Sequence, residues 1–320
     1  MEKDKQQTVP HILIKLAHLL GTEIKNSRLE IPGKFGQGYC AGFVFNEHIR
    51  MTISNYELNE EMAVENPEEI NTSKRTIFFK FQNIFPKQKT GKYLTEMPSV
   101  LIATSRINTD NIISIHTNMA TVNIEVDANY LNSLFDLPEK SPVLQSLLQN
   151  MQPLLFEQII YPSLQNIVDE IITEKIDKTF ELFFLRIKAE ELICRLLMEL
   201  EKRDEKRLYA LNIRDIQSLY KIREQILEHL ENPPVINELA LRANMSPSKL
   251  KRLFKQIFGN SIFSYYQQFR MKEAARLLKE GKLSVSDVGY QLGFSNLSHF
   301  ARVFKEQIGM RPKQYSRIDV

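Results

Sequence analysis

Ser298, His299, Arg302 and Lys305 fall on one side of a short amphipathic segment, beside Asn296 and Leu297. Ser248, Lys249, Lys251, Arg252 and Lys255 fall on one side of an earlier segment. Arg and Lys pair with guanine edges and with phosphate oxygens, and hydroxyl, amide and imidazole groups add hydrogen bonds to base edges or backbone. Such a face could therefore read a DNA groove. A single helical hairpin with a charged outer face is common and proves little. Here the pattern recurs. Leu250, Arg252, Phe254, Lys255 and Gly259 return as Phe300, Arg302, Phe304, Lys305 and Gly309, each 50 residues later. A basic face repeated inside one domain is much less easily explained as packing.

Two hairpins must hold these faces. In the second, the spacing predicts a helix over Val285–Leu292, which Gly293 closes because it lacks a Cβ. Ser295 is the expected N-cap of the next helix. Phe300, Val303, Phe304 and Ile308 form its apolar face, Gly309 ends it and Pro312 bars continuation. Gly289 sits where the two helices would cross. In the first hairpin Ala240 takes the crossing position, Asn244 the turn, Ser246 the N-cap and Pro247 the first helical position. Leu250, Leu253, Phe254 and Ile257 are its apolar face. Both read as helix-turn-helix units. Between them, Ile262–Glu280 is flanked by Ser261 and Gly281 and predicts a helix buried through Phe263, Tyr266, Phe269, Ala274, Leu277 and Leu278. At ~1.5 Å per residue it would span about 28 Å. One DNA turn is about 34 Å, so this helix could hold two reading helices in successive major grooves.

Residues 221–320 resemble the DNA-binding domain of the AraC/XylS transcription regulators. The resemblance rests on SVSDVGYQLGFS from Ser284, SHFARVFK from Ser298, GMRPKQY from Gly309 and RMKEAARLL from Arg270. Gly289 stands where that family usually has Ala, and Asn244 where it usually has Gly; both substitutes stay small or tolerate a left-handed backbone. The resemblance implies base-reading positions at Ser248, Lys251 and Arg252 in the first unit, and at Ser298, His299 and Arg302 in the second.

The rest of the chain differs in charge. Residues 221–320 hold 17 Lys+Arg against 9 Asp+Glu, whereas the chain as a whole is only +3, so residues 1–220 are net acidic. A basic block of this size suits a phosphate-binding module. The 320-residue length suits about two domains. Cys40 and Cys194 each lie among apolar residues and read as buried small hydrophobes, with no spacing that suits zinc. No signal peptide stands out, and charge interrupts every apolar run before ~18 residues, so no membrane span and a cytoplasmic location are expected. PHILIKLAHLL, from Pro10, predicts a short helix ended by Gly21. Gly36, Gly38 and Gly42 lack dinucleotide spacing and read as a loop between strands.

From Tyr39 to Val126 the period approaches two. Ile49, Met51 and Ile53 alternate with polar residues, and Thr76–Phe81, Val100–Ala103, Ile112–Ile115 and Val122–Val126 predict further strands, together a small sandwich or barrel. In the resembled family this half is often a cupin-like β-barrel that binds a small effector. His48 and His116 stand alone, so the cupin cluster of metal-binding histidines is missing, and no cofactor is expected. Residues 141–205 read as two or three helices. In the last, Leu185, Ala189, Leu192, Ile193, Leu196, Leu197 and Leu200 make a broad apolar stripe. Two readings are open for it: packing on the β-rich domain, or a dimer contact of the kind the family commonly builds there.

The sequence therefore predicts an α+β chain: a β-rich effector and dimerisation domain with helices over 1–205, a linker over 206–219, and an all-α domain with two helix-turn-helix units over 220–320. It predicts a DNA-binding transcription regulator rather than an enzyme, with double-stranded DNA, a second copy, a small effector and, at activated promoters, RNA polymerase as partners. The alternative is the same DNA-binding module fused to an enzymatic N-terminal domain. That alternative needs an activated cysteine or another catalytic constellation, and none stands out.

Overall fold

Alternating apolar and polar residues build most of the N-terminal unit. The computed structural model describes residues 9–60, 75–84, 97–105, 107, 118–135 and 140–317. Helix α1 (His11–Leu20) is closed by Gly21 at φ 60. Strands β1 (Arg28–Glu30), β2 (Gly36–Val44), β3 (Ile49–Leu58), β4 (Thr76–Gln82), β5 (Ser99–Thr104), β6 (Asn118–Asp127) and β7 (Leu155–Ile159) form one antiparallel sheet. Its order is β1-β2-β3-β6-β4-β5-β7. Two expectations change. Gly36, Gly38 and Gly42 lie within β2 and not in a loop. β7 is a strand inside the region read as wholly helical, because its five residues are too few to show a period. The strand predicted at 112–115 lies outside the described residues.

Period two gives the sheet two unlike faces. One carries Met51, Ile53, Phe79, Phe81, Ile102, Val122 and Ile124, all buried. The core on this face also takes in residues of α2 (Ala128–Ser133), α3 (Pro142–Gln149), α4 (Pro162–Thr173) and α5 (Lys178–Glu201). Near β1–β3 the other face forms a smaller core with α1, joining Leu13, Leu16, Leu20, Leu29, Cys40 and Leu58.

The apolar stripe of α5 belongs to the main core. Leu185, Ala189, Leu192, Ile193, Leu196, Leu197 and Leu200 are each at most 5% exposed. Of the two readings, packing is the correct one, and these residues are not a surface for a second copy. The stripe is broad because it lies within the main core, with α3 and α4 packed on the same helix. Cys194 also departs from expectation: it is exposed, on the opposite side of α5. Cys40 is buried with its Sγ 3.3 Å from Ser54 Oγ, and burial pushes its thiol up to about 11, the wrong direction for a nucleophile. Arg203, in a charge run expected to be solvated, donates to the Glu157 carbonyl at 2.9 Å. Among the described residues no helix is long and apolar enough to cross a membrane.

The chain divides into two compact units between Ile213 and Arg214. Helix α6 (Ile213–Glu228) starts seven residues before the helix expected from Tyr220, so part of the predicted linker is helical. It is followed by α7 (Ile236–Arg242), α8 (Pro247–Phe258), α9 (Ile262–Glu280), α10 (Val285–Gln291), α11 (Leu297–Ile308) and the single turn α12 (Pro312–Tyr315).

Exchanging Ile193 and Leu197 for Glu buries two unpaired carboxylates in the main core, at a cost of several kcal/mol each. The melting temperature of the full chain, followed by circular dichroism, is expected to fall by at least about 10 °C. An unchanged melt would place this stripe outside the core.

Candidate nucleic-acid interface

Each hairpin closes on the same device. In the first, Ala240 is buried at the crossing, Asn244 turns the chain at φ 52, and Met245 N–H donates to the Ala240 carbonyl at 2.9 Å. In the second, Gly289 is at the crossing, Gly293 turns at φ 76, and Phe294 N–H donates to the Gly289 carbonyl at 3.0 Å. The two then diverge. Ser246 caps α8 by accepting from Lys249 N–H at 3.2 Å, whereas α11 is capped by Asn296, which accepts from His299 N–H at 3.1 Å. Ser295 is thus not the cap: the second turn is one residue longer than the first, and the cap falls one place later. The start of α10 is tied by a capping box between Ser284 and Asp287. Its hydrogen bonds to Ser284 hold the Asp287 carboxyl below its ordinary value.

The reading helices bury their apolar sides and leave the polar ones outside. Leu250, Leu253, Phe254 and Ile257 are buried on α8, and Phe300, Val303 and Phe304 on α11. On α11, Asn296, Ser298, His299, Arg302 and Lys305 are all exposed. Asn296 spends its side-chain oxygen on the cap, and the His299 ring meets Phe294 edge-on with centroids 5.7 Å apart. On α8, Ser248, Lys251 and Arg252 are exposed, while Lys249 and Lys255 are half-buried. Lys249 Nζ lies 2.8 Å from Asp215 Oδ1 on α6, a partner the sequence did not reveal because 34 residues separate the two. Arg311 and Lys313, exposed around the start of α12, add positive charge that sequence reasoning left out.

Helix α9 holds the hairpins. Tyr266 is fully buried and its hydroxyl donates to the Leu230 carbonyl at 3.0 Å. Arg270 is buried, donates from Nε to the Leu292 carbonyl at 2.7 Å, and lies 3.6 Å over the Phe294 ring. Glu273, also buried, pairs with Arg276. The predicted ends of α9 are the observed ones, with Ser261 as N-cap and Gly281 as C-cap. Phe263 is the exception among its expected buried residues: it is 56% exposed, because it lies in the first turn beyond the reach of the packed side. At ~1.5 Å per residue α9 is about 28 Å long, close to the ~34 Å repeat of a DNA duplex.

Residues 239–318 match the family described as helix-turn-helix domain. The HTH-type transcriptional regulator GlxA of Rhizobium meliloti (strain 1021) is 31% identical over 31% of this chain and 31% of its own length. The matched segment thus spans less than a third of that relative. Among solved structures, a probable AraC family transcriptional regulator from Rhodopseudomonas palustris CGA009 is 25% identical, with 31% of this chain and 94% of that chain covered and a TM-score of 0.29. The DNA-binding domain of AdpA in complex with a target DNA is 29% identical, with 31% and 89% covered and a TM-score of 0.30.

The turn of the second hairpin yields a contrast between two glycines. A Cβ on Gly293 would lie 2.0 Å from the Glu231 carbonyl oxygen, at a φ of +76. One on Gly289 would meet only the end of the half-exposed Leu297 side chain, at 2.8 Å, and then Phe300 at 3.2 Å. In denaturant unfolding of the full chain, Gly293→Ala is expected to cost at least about 2 kcal/mol in the C-terminal unit. Gly289→Ala is expected to stay within about 1 kcal/mol of wild type, since the gain in helix propensity offsets a small shift of Leu297.

Proposed function

We infer, from the AraC-type helix-turn-helix domain that the C-terminal unit carries, that the chain is a sequence-specific DNA-binding transcription regulator. One observation carries this reading: two reading helices, α8 and α11, keep basic and hydrogen-bonding residues exposed, and one rigid helix about as long as a DNA turn braces both hairpins. Arg302, Ser298 and His299 on α11, with Arg252, Lys251 and Ser248 on α8, are the base-reading set. Lys305, Lys255, Lys249 and Asn296 serve the backbone and the helix starts. Lys249 contributes less than Lys251, because Asp215 already neutralises it in the free protein. Most of the affinity comes from phosphate neutralisation and the release of counterions.

The N-terminal unit supplies regulation in this reading. It serves as a homodimer contact, so that two tethered DNA-binding units gain effective concentration, and it receives a small polar effector. The effector part is supported by the second face of the sheet. Thr52, Ser54, Lys80, Ser99, Thr121 and Glu157 point to that face and are buried. Among the described residues, Thr121 Oγ1 and Asn123 Oδ1, on neighbouring rows, have no hydrogen-bond partner. Buried polar atoms are normally satisfied, and a ligand bearing hydroxyl or amide groups would satisfy these. The regulator acts in the cytoplasm, without catalysis, and meets RNA polymerase at the promoters it activates.

Two measurements test the reading. Arg302→Ala is expected to weaken binding to a genomic site recovered by mapping of bound DNA by about 1–3 kcal/mol, with unchanged circular dichroism. Wild-type affinity for that site should fall steeply with salt, and undiminished binding by the variant would remove Arg302 from the reading set. In the N-terminal unit, Thr121→Val replaces an unsatisfied hydroxyl with a methyl group. The ligand-free protein is expected to be at least as stable as wild type, by up to about 1–3 kcal/mol. A lower melting temperature would mean that the hydroxyl is structural and would count against the effector site.

A further inference from the structure

The two reading helices differ at a place that the fifty-residue correspondence makes visible. Lys249 of α8 corresponds to His299 of α11. His299 is exposed, and its ring meets the neutral ring of Phe294. Lys249 instead holds a carboxylate: its Nζ lies 2.8 Å from Oδ1 of Asp215, in the first turn of α6. Lys249 is in the first turn of α8, one turn before Arg252 and at the flank of the exposed face that carries Ser248, Lys251 and Arg252. A cation at the flank of a reading helix is placed to meet the phosphates that border the groove. Here a carboxylate oxygen already stands where a phosphate oxygen would.

The pair is built both to hold and to compete. The Asp215 side chain is 15% exposed and that of Lys249 is 38% exposed. Coulomb attraction strengthens as water is excluded, so the sheltered carboxylate holds the ammonium in the free protein. The ammonium keeps enough of its surface in water to be reached by a second anion. Asp215 also lies at the N-terminal end of a 16-residue helix, where the helix dipole favours negative charge. It therefore remains a strong rival for Lys249 when a phosphate approaches.

We propose that Asp215 is an internal substitute for a DNA phosphate and restrains the first reading helix by competing for Lys249. This restraint presupposes the DNA-binding reading above, and it adds to it an acidic residue that lies on neither reading helix. Each phosphate neutralised releases counterions and adds to affinity for any sequence. By occupying Lys249, Asp215 removes part of that sequence-independent gain. A regulator that must leave random DNA to reach its site benefits from the loss, because competing non-specific sites vastly outnumber the specific one.

The test uses the full chain and a random-sequence duplex of about 30 base pairs, roughly three helical turns. Binding is followed by fluorescence anisotropy between about 50 and 200 mM salt. Asp215→Asn is expected to lower the dissociation constant at least about fivefold at the lower salt, and to steepen the plot of log affinity against log salt by up to about 0.9, the share of one phosphate. Removal of any acid near DNA tightens binding somewhat, so the decisive comparison is a cycle with Lys249→Gln. In that background Asp215→Asn is expected to gain less than about twofold, because no cation is left to release. Lys249→Gln alone keeps Asp215 in place and reads the restraint whether or not Asp215→Asn folds well: it is expected to weaken binding by a smaller factor than Lys251→Gln. An Asp215→Asn variant that binds no tighter, an equal gain in both backgrounds, or an equal loss from Lys249→Gln and Lys251→Gln would each overturn the proposal and leave the DNA-binding reading standing. A wild type that fails to bind the duplex at low salt would overturn that reading, and the restraint with it.

Discussion

The geometry of the second hairpin depends on a buried guanidinium. Arg270 gives its Nε proton to the Leu292 carbonyl at the end of α10 and covers the Phe294 ring that begins the approach to α11. Burial pushes its pKa down, but an arginine stays charged, so the charge must be held by the carbonyl and the aromatic face. The turn has little freedom to move away. Gly293 lies against the Glu231 carbonyl so closely that a single added carbon would not fit. The end of α6 is fixed to the same helix by Tyr266, one turn earlier on α9. Where the exposed face of α11 points is therefore decided by contacts on its buried side, none of which would touch DNA.

Much of this was legible in the sequence, for a physical reason. The hairpins are built from local devices: Gly309 and Gly259 as C-caps, Pro247 at a helix start, Ser246 and Ser261 as N-caps. Such signals act over three or four residues and can be read from the order of residues alone. What failed to show was either longer in range or compensated nearby. The ion pair between Asp215 and Lys249 joins two helices across a long stretch of chain. The cap of α11 moved from Ser295 to Asn296 because both residues can cap, and only the length of the turn decides between them. β7 lies among helices and is too short to announce its period.

The N-terminal unit shows how a pattern can be correct and its meaning open. The Leu185–Leu200 stripe on α5 is real, but a stripe does not say what it faces. It faces the main core, where α3 and α4 pack on the same helix. Likewise the alternation of the strands gave the inward apolar face, while the polar character of the opposite face became informative only once burial was known.

The longer second turn bears on how the two hairpins could have arisen and how they can be altered. From the crossing residue to the cap there are six steps in the first and seven in the second, so the hairpins are related copies that have ceased to be interchangeable parts. A module cut at the crossing residue and moved from one place to the other would arrive one residue out of step with α9. Its cap would be unmade or its apolar side turned by about 100°, the rotation of one residue in a helix. The domain can therefore vary the outward residues of each reader freely, but it can exchange or recombine whole readers only by cutting beyond the cap, where the fifty-residue correspondence is kept.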